Sequence, residues 1–368
     1  MAYIRKRGNK YYFTIWIREN GKTIKHEYAG GSSKSEAEKR FRQCMAETDR
    51  TGKYFEPSAM LFKDYLHEWI KKYASVYLKP NTVDLYESVI QNHIIVQFGL
   101  YKLMDITTAE LQDWLIELLD QYSRSTVKTI MSCLRSALRW AVANRRYLVM
   151  NPMDNVTLPP CHTAAAKPKL FTSNDIHKIF EKFSYGNKIH IVCALSYYTG
   201  MRLGECLALT WNHINLDDRT IQVVGTMYDK NSLPTITSTK TVSSERTILF
   251  GSKLYNEFKK QKLWQFKNSL KYGPLYKKND FVCTTEKGRM ITSNTMRYFG
   301  AWCHKKLGYG SFHSFRHTHA SMLLAHGLPL DYVSKRLGHS SIYTTANIYD
   351  TITDKREKDA VNVMETFL

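Results

Sequence analysis

The sequence predicts a multidomain α+β chain: a small N-terminal three-stranded sheet plus a helix, a helical middle domain, and a mainly helical C-terminal domain with a small antiparallel sheet. Three observations lead there. Aromatic and β-branched residues cluster in strand-like runs only near the N-terminus and again around positions 220 and 247. Helical spacing of apolar residues recurs through much of the remaining chain. The length of 368 residues gives two or three folding units at roughly 150 residues per domain.

Each element follows from local chemistry. Residues 11–18 are dense in aromatic and β-branched side chains, Asn20-Gly21 marks a hairpin turn, and residues 23–29 supply the return strand. Tyr3 and Ile4 add an edge strand. From Ser35 a helical pattern sets Ala37, Phe41, Cys44 and Met45 along one side, with Gly52 as its stop. These elements make a first domain over residues 1–55. A second, helical domain spans residues 58–156. In it Leu61, Tyr65, Leu66 and Trp69 return at helical spacing, and Lys79-Pro80-Asn81-Thr82 reads as a break followed by a cap. Ser125 then introduces a long run through Tyr147, which Asn151-Pro152 ends.

Residues 157–169 contain two adjacent prolines and a third near the end, without a sustained apolar period. They read as a linker that lets the flanking domains move. Residues 170–368 form the last domain. Residues 175–183, 189–198 and 201–211 suggest helices, the last following the Thr199-Gly200 turn. Residues 220–224 and 247–250 are strand candidates, with open boundaries around 234–244. No solenoid repeat or heptad run is present.

Charge supplies the first functional clue. The 53 Lys and Arg against 33 Asp and Glu give a formal charge of +20, which favours a polyanionic partner. Residues 1–53 alone hold 13 basic and 6 acidic residues, an excess of 7, and a small basic sheet can enter a DNA groove. Arg135, Arg139, Arg145 and Arg146 are candidates for phosphate contacts, which orient DNA without reading its sequence. No run approaches the roughly eighteen apolar residues of a membrane span. No apolar run of a signal peptide follows Arg5-Lys6-Arg7, so the cytoplasm is the expected compartment. Seven cysteines form no CxxC pair, which argues against a disulfide framework or zinc ribbon.

The residues that carry chemistry lie in the last domain. In His313-Ser-Phe-Arg316-His317, spacings of three and four converge on one helix face. Arg316 can pair its N–H groups with phosphate oxygens while a histidine shares or relays a proton. Tyr349 offers a hydroxyl able to become a covalent nucleophile. Arg202, in Thr199-Gly-Met-Arg202-Leu-Gly-Glu205, starts a helix after a tight turn. Two opposed guanidiniums can stabilise the charge of an attacked phosphodiester without a metal. Lys240, in Thr239-Lys240-Thr241, suits a hairpin loop and retains a proton at neutral pH for a departing 5′ oxygen. Tyr332 and Tyr343 are competing hydroxyls. His313 and His317 lack the HExxH pattern or compact Cys/His array of a metal site.

These motifs, with Leu337-Gly338-His339-Ser-Ser and Tyr349 ten residues beyond His339, resemble the tyrosine recombinase family, particularly integrases of temperate phages and of integrative conjugative elements of Gram-positive bacteria. The resemblance covers nearly the whole chain. It implies six catalytic roles, carried by Arg202, Lys240, His313, Arg316, His339 and the nucleophile Tyr349, with Glu205 and His317 as supporting residues. It also implies an arm-type DNA-binding domain at 1–55, a core-type DNA-binding domain at 58–156 and a catalytic domain at 170–368.

The implied activity is site-specific integration, and excision, of a mobile element in a bacterial host through a 3′-phosphotyrosine intermediate. No ATP, catalytic metal or other cofactor is expected. The implied partners are double-stranded DNA at core and arm-type sites, three further protomers in a homotetramer on two duplexes, a DNA-bending protein and an excisionase. Val361, Val363, Met364, Phe367 and Leu368 are available for packing within the chain or on a neighbour. A type IB DNA topoisomerase is the enzymatic alternative, and a noncatalytic DNA-binding regulator the alternative of another class.

Overall fold

A computed structural model describes residues 3–19, 22–51, 60–160, 169–230, 233–238, 245–339 and 341–349. The chain divides into two units, residues 1–162 and 163–368. The first opens with an antiparallel sheet of β1 (Tyr3–Arg7), β2 (Lys10–Glu19) and β3 (Lys22–Gly31), in that order. Ile4 stands opposite Phe13, and Phe13 opposite Tyr28. The two-residue period turns Phe13 and Ile15 to one face. There they pack with Cys44 of α1 (Lys34–Thr51), Phe41, Ile4 and Tyr28. Ala37 is fully buried, but Met45, expected on the same side, is partly exposed. The other face presents Trp16, two-thirds exposed, with the Lys25 ammonium 6.0 Å from its ring. The expected turn Asn20-Gly21 and stop Gly52 lie outside the described residues.

The helical part of this unit comprises α2 (Phe62–Trp69), α3 (Ser75–Tyr77), α4 (Pro80–Val89), α5 (Ile95–Phe98), α6 (Thr108–Gln121) and α7 (Arg124–Ala143). Single π-type turns join α2 to α3 and α4 to α5. The inward face of α2 is Phe62, Tyr65, Leu66 and Trp69, all fully buried. Leu61 instead precedes the helix and bridges to Lys102. Pro80 is the first residue of α4, where its fixed φ and missing N–H cost nothing, so neither Asn81 nor Thr82 is the cap. The cap of α7 is Ser123 rather than Ser125; its hydroxyl accepts from the Thr126 N–H at 3.3 Å. That helix ends at Ala143, short of Tyr147 and of Asn151-Pro152.

The second unit holds α8 (Ser173–Lys182), α9 (His190–Thr199), α10 (Leu203–Ala208), β4 (Ile214–Asn215), β5 (Thr220–Val223), β6 (Gly225–Lys230), β7 (Leu233–Ser238) and β8 (Arg246–Leu249). It continues with α11 (Ser252–Tyr272), α12 (Ser293–Leu307), α13 (Phe312–Ala325), α14 (Leu330–Leu337) and α15 (Ile342–Tyr349). Strands β4, β5 and β8 form one antiparallel sheet in that order, and β6 and β7 form a separate hairpin. Helix α10 is shorter than its sequence pattern because the following backbone is taken by another partner. Leu209 O accepts from Val282 N–H at 3.0 Å and Trp211 N–H donates to Asp280 O at 2.9 Å. Helix α9 is apolar on nearly every side, as befits a central helix, and it packs against α10, α11 and α13. The entry to the unit is tied to α13: Phe171 N–H donates to Thr318 Oγ1 at 2.8 Å, and the Phe171 ring lies 5.1 Å from Phe315. Among the described residues, no helix is long and apolar enough to cross a membrane.

Candidate active site

Two glycines bring α9 and α10 of the second unit close to α13, α14 and β6. Gly200 ends α9 with φ 72°, in the left-handed region, and a Cβ on it would lie 2.5 Å from Leu337 Cδ2 and 2.8 Å from His319 Cδ2. The end of α9 thereby approaches the end of α14. Gly204 does the same for α10 and β6, since a Cβ there would sit 2.2 Å from Thr226 Oγ1.

Arg202 occupies the N-cap of α10 between these contacts. Its backbone N–H donates to Glu205 Oε2 at 3.0 Å. Its guanidinium donates to Glu205 Oε1 and to Gly338 O, both at 2.8 Å. Glu205 also binds Arg246 of β8, with Nη2 to Oε2 at 2.9 Å. Burial alone would push the Glu205 carboxyl up, but bonds and charge from Arg246 and Arg202 hold it below the usual carboxylate range.

Arg316 of α13 is 1% exposed and donates to Gly200 O at 2.8 Å and to Leu337 O at 2.7 Å. Arg202 reaches the same Leu337 carbonyl at 3.5 Å. Burial and the neighbouring Arg202 push the Arg316 pKa down, yet a guanidinium starting so high stays protonated at neutral pH. Two fixed cations therefore meet at one turn. The side chain of Arg202 is 35% exposed and those of Glu205 and Arg246 are 3% and 7%, so Arg202 is the member of this trio that presents its charge outward.

The histidines border that charge. His313 and His317, one turn apart on α13, stack edge to face with centroids 4.6 Å apart. Burial, then His317 and Arg316, lower the His313 pKa to about 4. Burial and Arg316 also lower that of His317. His339 follows Gly338, which is left-handed at φ 67°, and its Nδ1 shares a 2.7 Å hydrogen bond with Thr345 Oγ1 of α15. Burial, then Arg316 and Arg202, take its pKa to about 3. All three imidazoles are neutral at pH 7.

Six predicted residues thus gather in one region: Arg202, Glu205, His313, Arg316, His317 and His339. Lys240 lies outside the described residues, as does the tail after Tyr349. Tyr349 is the last residue of α15, but its side chain is outside them too. Helix α15 itself packs against α13 and α14. Of the competing hydroxyls, Tyr343 is largely exposed and Tyr332 interacts with Arg336. Sequence reasoning missed Arg246, Thr345 and the carbonyls of Gly200, Leu337 and Gly338. Arg246 had a weak signal, ending the polar segment after Lys240; backbone acceptors have none.

The folding pattern is that of DNA integrases. The Tn1549 transposon integrase, solved with transposon right-end DNA, superposes with a TM-score of 0.64 at 18% identity, covering 82% of this chain and all of that one. Lambda integrase, solved as a tetramer on a Holliday junction, gives 0.58 at 20% identity over 94% of both chains. Residues 169–356 match the phage integrase family, and residues 61–119 match the phage integrase N-terminal SAM-like domain. The XerC-like tyrosine recombinase of Caldanaerobacter subterraneus is 30% identical over 98% of this chain and 97% of its own. The chain belongs to the phage integrase family of tyrosine recombinases, which break and rejoin DNA through a tyrosine intermediate. It is a site-specific DNA recombinase of the integrase kind, which decides against the topoisomerase and regulator alternatives.

Proposed function

We propose that this recombinase integrates and excises a mobile element in a bacterial cytoplasm, with Arg202 and Arg316 holding the scissile phosphate and Tyr349 attacking it. The carrying observation is the convergence of both guanidiniums on the Leu337-Gly338 turn. That turn leads directly into His339, whose partner Thr345 is one helical turn before Tyr349. Arg202 and Arg246 bond the Glu205 carboxylate and Arg316 is bonded to carbonyls beside them, so this group of three guanidiniums and one carboxylate is two charges positive. That balance suits a phosphodiester gaining a second negative charge as it becomes pentavalent.

Tyr349 gives its phenolic proton to a neutral imidazole of the pocket as its oxygen bonds to phosphorus and the bond to the 5′ oxygen breaks, and Lys240 gives that leaving oxygen its proton. Neutral His313 and His339 position the phosphate and assist proton transfers, with Glu205 and His317 in support. A 5′ hydroxyl from a partner duplex then displaces the tyrosine. Each step exchanges one phosphoester for another, so the chemistry consumes no ATP and needs no metal or other cofactor.

The remaining domains supply DNA. Lys128 and Arg139, exposed on α7, line a cleft of about 770 Å³ suited to core-site phosphates. Arg135 lines the same cleft while donating to Met153 O and Val156 O, whereas Arg145 is held within the protein, paired with Glu68 at 3.1 Å and lying over Trp140. Residues 1–55 would bind arm-type repeats, and four protomers would act on two duplexes with a DNA-bending protein and an excisionase. The test is a paired-site assay on cognate ends, with recombinant joints expected; relaxation without partner exchange would refute integration. In the same assay a bridging 5′ sulfur, a better leaving group, should restore cleavage by Lys240→Ala. Absence of rescue would remove Lys240 as the acid.

A further inference from the structure

The family's motifs name two arginines, yet a third is buried among them. Arg246 is the first residue of β8, six positions after Lys240, and its side chain is 7% exposed. One edge of its guanidinium grips Glu205, with Nη1 to Oε1 at 3.3 Å and Nη2 to Oε2 at 2.9 Å. Its Nε donates to Arg336 O at 2.7 Å. Gly338 lies over it, close enough that a Cβ there would be 3.0 Å from Arg246 Nη1. The carboxylate it grips orients Arg202, and the backbone it holds runs straight into the carbonyls of Leu337 and Gly338 and then His339. A single planar side chain therefore touches both supports of the phosphate pocket.

We propose that Arg246 is a positioning residue for strand cleavage: it aims Arg202 through Glu205, fixes the Leu337-Gly338 turn through the Arg336 carbonyl, and keeps the pocket's charge at two positive. This rests on the reading that Arg202 and Arg316 hold the scissile phosphate. Without Arg246, the arginine left bonded to Glu205 in this group is Arg202, since Arg316 is bonded to carbonyls. The pair then neutralises itself, and Arg202 turns from the DNA towards its own carboxylate. The group retains one net positive charge, and the turn before His339 loses a tie. Lysine cannot substitute, because one ammonium cannot span a carboxylate fork and a carbonyl together.

The experiment is single-turnover cleavage by the full chain on nicked duplex, with the scissile group as phosphodiester, bridging 5′-phosphorothiolate or neutral methylphosphonate. On phosphodiester, Arg246→Ala and Arg246→Lys should cleave about 100-fold more slowly than wild type, the scale of a displaced catalytic group, with DNA affinity unchanged. On methylphosphonate, whose transition state carries one negative charge fewer, the deficit should shrink to a few-fold; the 5′ sulfur should not relieve it. A structural defect would slow all three substrates alike.

If Arg246→Ala fails to fold, Arg246→Gln, which keeps a neutral donor for the Arg336 carbonyl, gives the same comparison. Arg202→Ala serves as control. A deficit relieved on methylphosphonate in Arg202→Ala but not in the Arg246 variants would overturn the Arg246 assignment alone. A deficit relieved in neither would overturn the pocket reading, and the assignment with it. Rescue of Arg246→Ala by the 5′ sulfur would transfer its role to the Lys240 step and also overturn the proposal.

Discussion

The same side chain is used in two ways in the two units. On α7, Arg139 and Lys128 stand exposed around an open cleft, their charge in high dielectric and screened by salt. In the second unit Arg316 is 1% exposed and tied by 2.7–2.8 Å bonds to two carbonyls, with Arg202 braced between Glu205 and Gly338. Exposed cations bind a polyanion at little cost in stability and with little geometric demand. Buried ones are expensive to desolvate, and the fold offsets that with backbone acceptors and one carboxylate. What the burial gives is orientation before DNA arrives, which is worth most where charge develops during reaction.

The largest effect should follow from disturbing a buried cation without removing it. Arg316→Lys cannot reach both the Gly200 and Leu337 carbonyls, so single-turnover cleavage should fall by about 100- to 1,000-fold. Its DNA affinity should stay within about threefold, as measured by titration at fixed salt. Equal losses in binding and cleavage would erase the distinction between the two kinds of arginine.

A smaller effect should appear in stability. His319 is 7% exposed; its Nδ1 faces Tyr197 O at 2.9 Å and its Nε2 faces Arg336 Nε at 3.3 Å. Serving both requires the neutral ring, and burial, then Arg336, lower its pKa from 6.5 to about 4. The folded state thus binds fewer protons than the unfolded state between those values. Stability is fully present above pH 6.5 and declines as pH falls towards 4, by at most about 3 kcal/mol. Urea unfolding across that range should show the decline, and His319→Gln should make it shallower by one histidine's share, the rest belonging to His313, His317 and His339, whose pKa values are lowered as well. An unchanged slope in the variant would exclude His319 as its source.

The mildest change belongs to the exposed cations. Arg139→Ala and Lys128→Ala should each reduce the salt dependence of DNA binding by roughly one counterion, leaving cleavage at saturating DNA unaltered. A loss of cleavage at saturation would show that the cleft takes part in aligning the scissile phosphate.

Sequence legibility followed the same divide. The N-terminal strands were readable because aromatic and β-branched runs flank Asn20-Gly21, α8 because its apolar residues recur at helical spacing, α9 because it is a continuous apolar run, and α13 through the spacing of His313, Arg316 and His317. The ends of α7 and α10 were misplaced. A serine two residues earlier captured one cap, and pairing of residues 209–211 with 280–282 stopped the other helix. Hairpin β6–β7 was obscured by Gly225, Pro234 and a polar composition. In the site, side chains inside compact motifs were found. The parts that hold them were not, because the Leu337 carbonyl has no signature and Arg246 meets Glu205 only through the fold.

All of this turns on where the covalent bond to DNA forms. Trapping on a nicked core-site duplex, followed by protease digestion and mass spectrometry, reads that atom directly. A nucleotide adduct is expected on Tyr349 and none after Tyr349→Phe. An adduct on Tyr332 or Tyr343, or trapping that persists in Tyr349→Phe, would contradict this assignment.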